Sequence, residues 1–198
     1  MDFKKEYVLE NDFVLLRPLE ISDLEKLIHF AINEPELWRY SLVSVKDEDS
    51  LKNYIDEAIE NREKEREYPF IVFDKKKQKY AGCTRFYDVQ NSQLTTQLGY
   101  TWFGKEFHGT GLNKNCKFLM LEFAFETLNF ERVEFRADNR NKKSILAMKS
   151  IGCILEGILR NNGFDQFGDR RESIVLSILK NEWFESVREK LGNKIKNF

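Results

Sequence analysis

Cysteine is scarce in this chain, and its few occurrences form no pattern. Cys83, Cys116 and Cys153 lie far apart, with no Cys-x-x-Cys pair and no histidine at the spacing of metal ligands. Structural zinc sites need clustered ligands, and disulfide frameworks use an even number of cysteines. We therefore expect reduced thiols in the core of a cytoplasmic protein, and we expect no metal site.

Charge of one sign and long hydrophobic runs are also absent. The 32 basic and 33 acidic residues give a formal net charge of −1, which removes any broad attraction to nucleic acid or anionic membranes. No stretch is apolar for long enough to cross a bilayer, and residues 1–6 have no apolar run of the signal-sequence type. We therefore expect a soluble protein with no nucleic-acid or membrane partner.

Proline and glycine are few, and no segment has the composition of an interdomain linker. The chain has 3 prolines and 10 glycines in 198 residues, with no repeat, so we expect one domain over residues 1–198. Hydrophobic periodicity predicts interleaved strands and helices. The predicted strands are 13–17, 70–73, 80–87, 95–103, 133–136, 154–159 and 173–179, and the predicted helices begin near Ser22, Asp49, Leu112 and Lys142, before a helical C-terminal tail. This order predicts an α+β fold with a largely antiparallel sheet.

The most informative stretch is a glycine turn between the strand 95–103 and the helix that begins at Leu112. Gly109 and Gly111 lie two positions apart in this turn. Glycine lets backbone amides approach a ligand, and the N-terminus of the following helix attracts phosphate. The turn lacks the Gly-Lys-Ser/Thr ending of a P-loop and the third glycine of a dinucleotide fingerprint. A phosphate site and an ordinary tight turn both fit it.

The turn resembles the pyrophosphate loop of the GNAT family of N-acetyltransferases, which has the form (Arg/Gln)-x-x-Gly-x-(Gly/Ala). Residues 106–111 are Glu-Phe-His-Gly-Thr-Gly and depart from this form only at Glu106. Residues 138–153 resemble the family's Asn-x-x-Ser…Gly segment, and residues 156–173 resemble its closing hairpin. The blocks follow the family's order. They are most similar to the RimJ/RimL-like branch, the ribosomal-protein N-terminal acetyltransferases.

The resemblance implies a GNAT fold, in which helices flank a mixed, mostly antiparallel sheet of about seven strands. The fourth and fifth strands, here 95–103 and 133–136, would splay apart and leave backbone groups unpaired. Buried backbone groups need partners, and in this family the pantetheine arm of acetyl-coenzyme A supplies them. Gly99 is the candidate for a bulge that opens the fourth strand.

The resemblance also implies roles for individual residues, with acetyl-coenzyme A as co-substrate and no metal. The backbone of residues 100–103 would bind pantetheine and the acetyl carbonyl, and the glycine turn would bind the pyrophosphate. The cofactor-binding candidates are Tyr100, Thr101, Trp102, Phe103, His108, Gly109, Thr110, Gly111, Leu112, Asn113 and Asn141. Ser144 is the catalytic candidate, as the donor of a proton to the departing thiolate. Asn141 and Ser144 equally fit the capping of a helix.

The sequence identifies neither the general base nor the acceptor. Glu106, Asp88 and His108 are all arguable bases, and His108 better fits a cofactor or packing role. The acceptor is expected to be a primary amine, either a protein N-terminus or a polyamine, amino sugar or other small amine. A non-catalytic module that binds acyl-coenzyme A is the alternative from another class. Candidate walls of the acceptor site are Trp38, Tyr40, Phe86, Tyr87 and Phe164, with Glu34, Glu36 and Asp88 as candidate acidic groups. The oligomeric state stays open, a homodimer included.

Overall fold

The computed structural model describes residues 1–196, and a single sheet organises them. Eight strands lie in the order β1-β2-β3-β4-β5-β6-β8-β7. They are β1 (Leu9–Glu10), β2 (Val14–Pro18), β3 (Tyr68–Asp74), β4 (Lys79–Gln90), β5 (Thr95–Phe103), β6 (Arg132–Asp138), β7 (Ile154–Leu159) and β8 (Ser173–Leu179). All neighbouring strands pair antiparallel except β5 and β6, which are parallel. The predicted α+β fold with a mixed, mostly antiparallel sheet is confirmed.

The eighth strand is the one that the sequence did not indicate. It is β1, in which Leu9 and Glu10 pair with Leu16 and Leu15 of β2. Two residues are too short to show the alternation that marks a strand. Because β1 comes first, the predicted fourth and fifth strands are β5 and β6 of the structure.

Within residues 1–196, four helices and a helical C-terminal segment accompany the sheet. They are α1 (Leu24–Asn33), α2 (Glu48–Glu63), α3 (Leu112–Glu122), α4 (Lys142–Ser150), α5 (Lys180–Glu182) and α6 (Arg188–Ile195). A π-helical turn, Phe123–Thr127, continues α3, and a second one, Trp183–Val187, joins α5 to α6. Helix α2 begins slightly earlier than predicted because Asp47 is its N-cap. The Asp47 carboxylate accepts from the Ser50 amide at 2.9 Å, and the Ser50 hydroxyl accepts from the Asp47 amide.

Helices cover both faces of the sheet. Helix α2 packs beside α1 and brings the ring of Tyr54 within 4.7 Å of the Arg85 guanidinium. Helix α3 packs beside α6 and brings Lys117 to the hydroxyl of Thr84. Because the side chains of Thr84 and Arg85 alternate along β4, α2 and α3 lie on opposite faces.

The parallel pairing between β5 and β6 is unusually short. It joins Thr95–Gln97 to Arg132–Glu134 and then stops, although both strands continue. Residues 98–103 and 135–138 therefore face each other without pairing, and we call the space between them the β5–β6 gap. The expected splay of these two strands is confirmed.

The core is rich in aromatic side chains, and all three cysteines lie in it. The fully buried rings include Phe30, Phe70, Phe86, Phe125 and Trp183. The cysteines are free, as expected, and burial raises the pKa of each thiol. Among residues 1–196, no cluster of three or more His, Cys, Asp or Glu side chains could hold a metal ion. In the same part of the chain, no helix has the length and apolarity needed to cross a membrane.

Candidate active site

A bulge in β5 directs the strand away from β6. Cys83 pairs with Trp102 and Arg85 pairs with Gly99, so that Thr84 alone opposes two residues, Tyr100 and Thr101. We call these two residues the β5 bulge. Tyr100 has φ +48°, in the left-handed region that bulky side chains rarely adopt. Bulges bend a strand and interrupt its ladder, and this one lies just beyond the last β5–β6 pair.

Gly99 was predicted to mark this bulge, and it lies immediately before it. Gly99 itself pairs regularly with Arg85. A Cβ atom at position 99 would lie 2.8 Å from Cε1 of Tyr87, which is closer than real contacts allow. Glycine is therefore needed here for the close approach of the Tyr87 ring, and the unusual backbone conformation falls on Tyr100.

The glycine turn leaves β5 and presents the N-terminus of α3. Gly109 and Gly111 have φ of +78° and +84°, which glycine adopts without strain. The hydroxyl of Thr110 donates to the Phe107 carbonyl at 2.9 Å and closes the turn. Residues 108–110 are exposed, and a Cβ at Gly109 would meet nothing within 4 Å. The first amides of α3 have no partner within the helix, so this turn is an open site for an anion.

His108 ties the glycine turn to α4. Its Nε2 lies 2.8 Å from the Phe103 carbonyl, and its Nδ1 lies 2.7 Å from Nζ of Lys143. Because an ammonium group can only donate, Nδ1 is the acceptor, and Nε2 carries the hydrogen. Burial lowers the pKa of His108, which favours this neutral form. The nitrogen that could take a proton is already occupied, which supports a linking role over base catalysis.

The other two candidate bases are also engaged. The Glu106 carboxylate accepts from Lys77 at 3.2 Å and from Lys79 at 3.3 Å. Desolvation works against these bonds, but they hold the pKa of Glu106 below its usual value. Asp88 accepts from the amides of Gln90 and Gln97, at 2.9 and 2.8 Å. The structure thus places no free base among the three candidates.

Asn141 and Ser144 lie together at the start of α4, directly after β6. The Asn141 side-chain oxygen accepts from the Ser144 amide at 3.1 Å, so Asn141 is the N-cap of α4. The Ser144 side chain is half-buried. Its hydroxyl has no hydrogen-bond partner within residues 1–196, and it is therefore available to a ligand.

A buried ion pair supports the β5 bulge on the α2 side, and sequence reasoning did not identify it. The Arg85 and Glu67 side chains are 4% and 12% exposed, and Nη1 of Arg85 lies 2.6 Å from the Glu67 carboxylate. The guanidinium lies over the rings of Tyr54 and Tyr100, at 4.7 and 4.2 Å from their centroids. The pair joins the residue that precedes β3 to the middle of β4, and no local sequence pattern indicates such a contact.

The structure distinguishes candidate wall residues of the acceptor site that lie near β5 from one that lies in the core. The tilted rings of Trp38 and Trp102 lie 4.8 Å apart, and the Tyr87 ring meets the Tyr100 ring edge-on at 5.1 Å, so both walls lie close to β5. Phe86 is fully buried in the core, and its assignment as a wall was wrong. Side chains alternate across a strand, which turns Phe86 to the face opposite Tyr87.

Two of the candidate acidic groups are engaged by Lys105 near the glycine turn. The Glu34 carboxylate accepts from the Lys105 amide at 2.7 Å, and Glu36 forms an ion pair with the Lys105 ammonium. A small cavity of about 130 Å³ lies beside Tyr54, at the N-terminal half of α2. It is lined by Val43, Ser44, Ser50, Asn53, Tyr54 and Glu57.

Comparison with known proteins gives the class of this chain. The family described as the acetyltransferase (GNAT) domain matches residues 14–154. The chain belongs to this family, and it is an N-acetyltransferase that uses acetyl-coenzyme A.

Individual relatives agree with the family and differ in their acceptors. A candidate ribosomal N-acetyltransferase of Bacillus subtilis (strain 168), YdaF, is 26% identical over 87% of this chain and 94% of its own length. The spermidine N(1)-acetyltransferase of Escherichia coli (strain K12) is 25% identical over 86% of this chain and 88% of its own length. The crystal structure of a candidate acetyltransferase from T. thermophilus superposes with a TM-score of 0.84 at 28% identity, covering 94% of this chain and 96% of that one.

The Arg85–Glu67 pair gives a first prediction. In the variant Glu67→Ala, the Arg85 charge stays buried without its partner, and we expect the free energy of unfolding to fall by about 3–5 kcal/mol. The control is Glu106→Ala, which breaks exposed pairs and should cost at most about 1 kcal/mol. Urea denaturation measures both variants. Equal losses would contradict the assignment of Arg85–Glu67 as a buried pair.

Proposed function

We propose that this enzyme binds acetyl-coenzyme A in the β5–β6 gap and transfers its acetyl group to the α-amino group of a peptide or protein. The observation that carries the proposal is the parallel β5–β6 ladder, which stops after three residue pairs and leaves residues 98–103, the part of β5 that leads into the glycine turn, unpaired with β6. An unpaired strand edge and a helix N-terminus thus lie next to each other. An amide-containing arm that ends in a pyrophosphate is the ligand that fits both.

In this proposal the chain binds its co-substrate chiefly through backbone. The edge formed by Tyr100, Thr101, Trp102 and Phe103 pairs with the amides of pantetheine and holds the acetyl carbonyl. The turn from His108 to Asn113 wraps the pyrophosphate, with the positive end of α3 behind it. Asn141 contacts the thiol end of the cofactor with the amide nitrogen that capping leaves free.

Ser144 is the proposed acid. Attack of the amine nitrogen on the acetyl carbon forms the C–N bond and places negative charge on the carbonyl oxygen. Backbone amides of β5 stabilise that charge. Breaking of the C–S bond releases a thiolate, which takes the proton of the Ser144 hydroxyl. The proton that the amine loses passes to water and replaces the one given by Ser144.

The charges near β5 favour a peptide amine over a polyamine. A polyamine carries several positive charges and calls for several free carboxylates in its site. Glu36 is paired with the Lys105 ammonium, Glu34 accepts from the Lys105 backbone amide, and Asp88 accepts from two glutamine side chains, so each of the three carboxylates is already engaged. An acetyl-release assay with a pool of short peptides and with spermidine separates the two acceptors. Faster turnover of spermidine would overturn the choice of acceptor, whereas acetyl-coenzyme A binding without release to either would favour a non-catalytic module.

The glycine turn is tested with Gly109→Trp. The new ring would fill the open space above the turn, and we expect at least a tenfold rise in the dissociation constant of acetyl-coenzyme A, which corresponds to about 1.4 kcal/mol. Gly163→Trp is the matched control, because Gly163 also has a positive φ, of +87°, and open space around it. Titration calorimetry measures both variants. Unchanged affinity in Gly109→Trp would refute the proposed pyrophosphate site.

Ser144→Ala tests the proposed acid. We expect kcat to fall by about 100-fold, the scale of general acid catalysis, with the dissociation constant of acetyl-coenzyme A changed by less than about twofold. Ser150→Ala is the control on the same helix, because the Ser150 hydroxyl already donates to the Ala147 carbonyl at 2.7 Å. Steady-state kinetics with the peptide pool gives the comparison, and an unchanged kcat in Ser144→Ala would remove Ser144 from the mechanism.

A further inference from the structure

A buried lysine lies directly against the β5 bulge. Lys117 of α3 is only 5% exposed. Its Nζ donates to the hydroxyl of Thr101 at 2.6 Å and to that of Thr84 at 3.0 Å. Within residues 1–196, no carboxylate forms an ion pair with it. A buried ammonium without a counter-ion destabilises a protein, so the presence of Lys117 at this place calls for a reason.

The two hydroxyls connect Lys117 to the backbone of the bulge. Thr84 and Thr101 lie 2.8 Å apart, and each hydroxyl also lies within hydrogen-bond distance of the Gly99 carbonyl, at 3.4 and 3.3 Å. Because the ammonium group can only donate, one hydroxyl is free to donate to the other hydroxyl, and the second to donate to the Gly99 carbonyl. One cation therefore orders the whole set of bonds behind Tyr100, the residue with φ +48°.

The charge state of Lys117 is sensitive to its surroundings. Burial lowers its pKa to about 8. The ionisable groups that influence it are the thiols of Cys116, on the same helix, and Cys153, which precedes β7. Burial raises the pKa of both thiols, so neither is an anion near neutral pH. Arg85 lies on the opposite face of β4. Lys117 is thus a cation at pH 7 and becomes neutral in mildly alkaline solution.

We propose that the Lys117 ammonium is a positioning residue for acetyl transfer, which orders Thr84, Thr101 and Gly99 behind the β5 bulge. This inference rests on the proposed function, because the bulge is the backbone that would hold the acetyl carbonyl. The positive charge lies behind the strand on which the oxyanion would develop. Fixed charges and dipoles of this kind stabilise the transition state more than the bound substrate.

The proposal predicts opposite effects of pH on activity and on stability. The folded-state pKa of Lys117 is lowered, so between about pH 8 and the usual lysine range the unfolded chain binds more protons than the folded one. Neutralising Lys117 therefore adds stability as the pH rises through this window. Over the same window kcat should fall, because the ordering cation is lost.

The test is Lys117→Met, which keeps an unbranched side chain of nearly the same length and removes the charge. We expect kcat with the peptide pool to fall at least tenfold at pH 7, with KM for acetyl-coenzyme A within twofold of the wild type. The Tm should stay equal or rise, and the alkaline fall in kcat near pH 8 should disappear. Lys149→Met, at an exposed lysine of α4, is the control and should match the wild type in all three readouts.

Thr101→Val is the second variant, and it keeps the proposal testable if Lys117→Met fails to fold. It should reproduce the loss of kcat. The kcat of the double variant should fall no further than that of Lys117→Met, because both changes break the same set of hydrogen bonds. Two outcomes would overturn this inference and leave the proposed function standing. One is a wild-type kcat in Lys117→Met; the other is a loss of kcat with a parallel loss of Tm and an unchanged pH profile. Absence of turnover in the wild type would overturn the proposed function with it.

Discussion

The short parallel ladder between β5 and β6 is the feature on which the rest of the site depends. Pairing beyond Gln97 and Glu134 would close the sheet and leave no backbone free for a ligand. The bulge at Tyr100 and Thr101 bends β5 a few residues after the last pair and so keeps the two strands apart. The same bend delivers the chain to the glycine turn, so the unpaired edge and the N-terminus of α3 become parts of one surface.

Such a bulge needs support, because Tyr100 adopts a left-handed conformation that costs of order 1–3 kcal/mol. The support comes from both faces of the sheet. On one face, Arg85 lies over the Tyr100 ring, and the Tyr54 hydroxyl lies 3.5 Å from the Tyr100 carbonyl. On the other face, Lys117 orders the hydroxyl of Thr101. Two buried cations thus flank one strained segment. Their burial lowers the stability of the fold, but it makes the backbone rigid at the place where rigidity would serve catalysis.

The sequence predicted those parts of the fold that local patterns encode. The glycine turn, the order of strands and helices and the splay of β5 and β6 were all found, because turn chemistry, periodicity and family motifs are local in the chain. The Arg85–Glu67 pair and the contact of Lys117 with Thr84 were missed, because each joins distant segments, and a single charged residue carries no sign of burial. Glu34 and Glu36 were chosen as candidates for the acceptor site because the sequence does not show their bonds to Lys105, which form only in the tertiary structure.

Amide hydrogen exchange of the wild-type protein, with and without about 1 mM acetyl-coenzyme A, tests the central claim most directly. If the co-substrate occupies the β5–β6 gap and the glycine turn, protection should rise in residues 98–103 and 108–113. Residues 154–159, on the edge strand β7, should exchange as before. Unchanged exchange in both segments, or protection confined to other parts of the chain, would contradict the account.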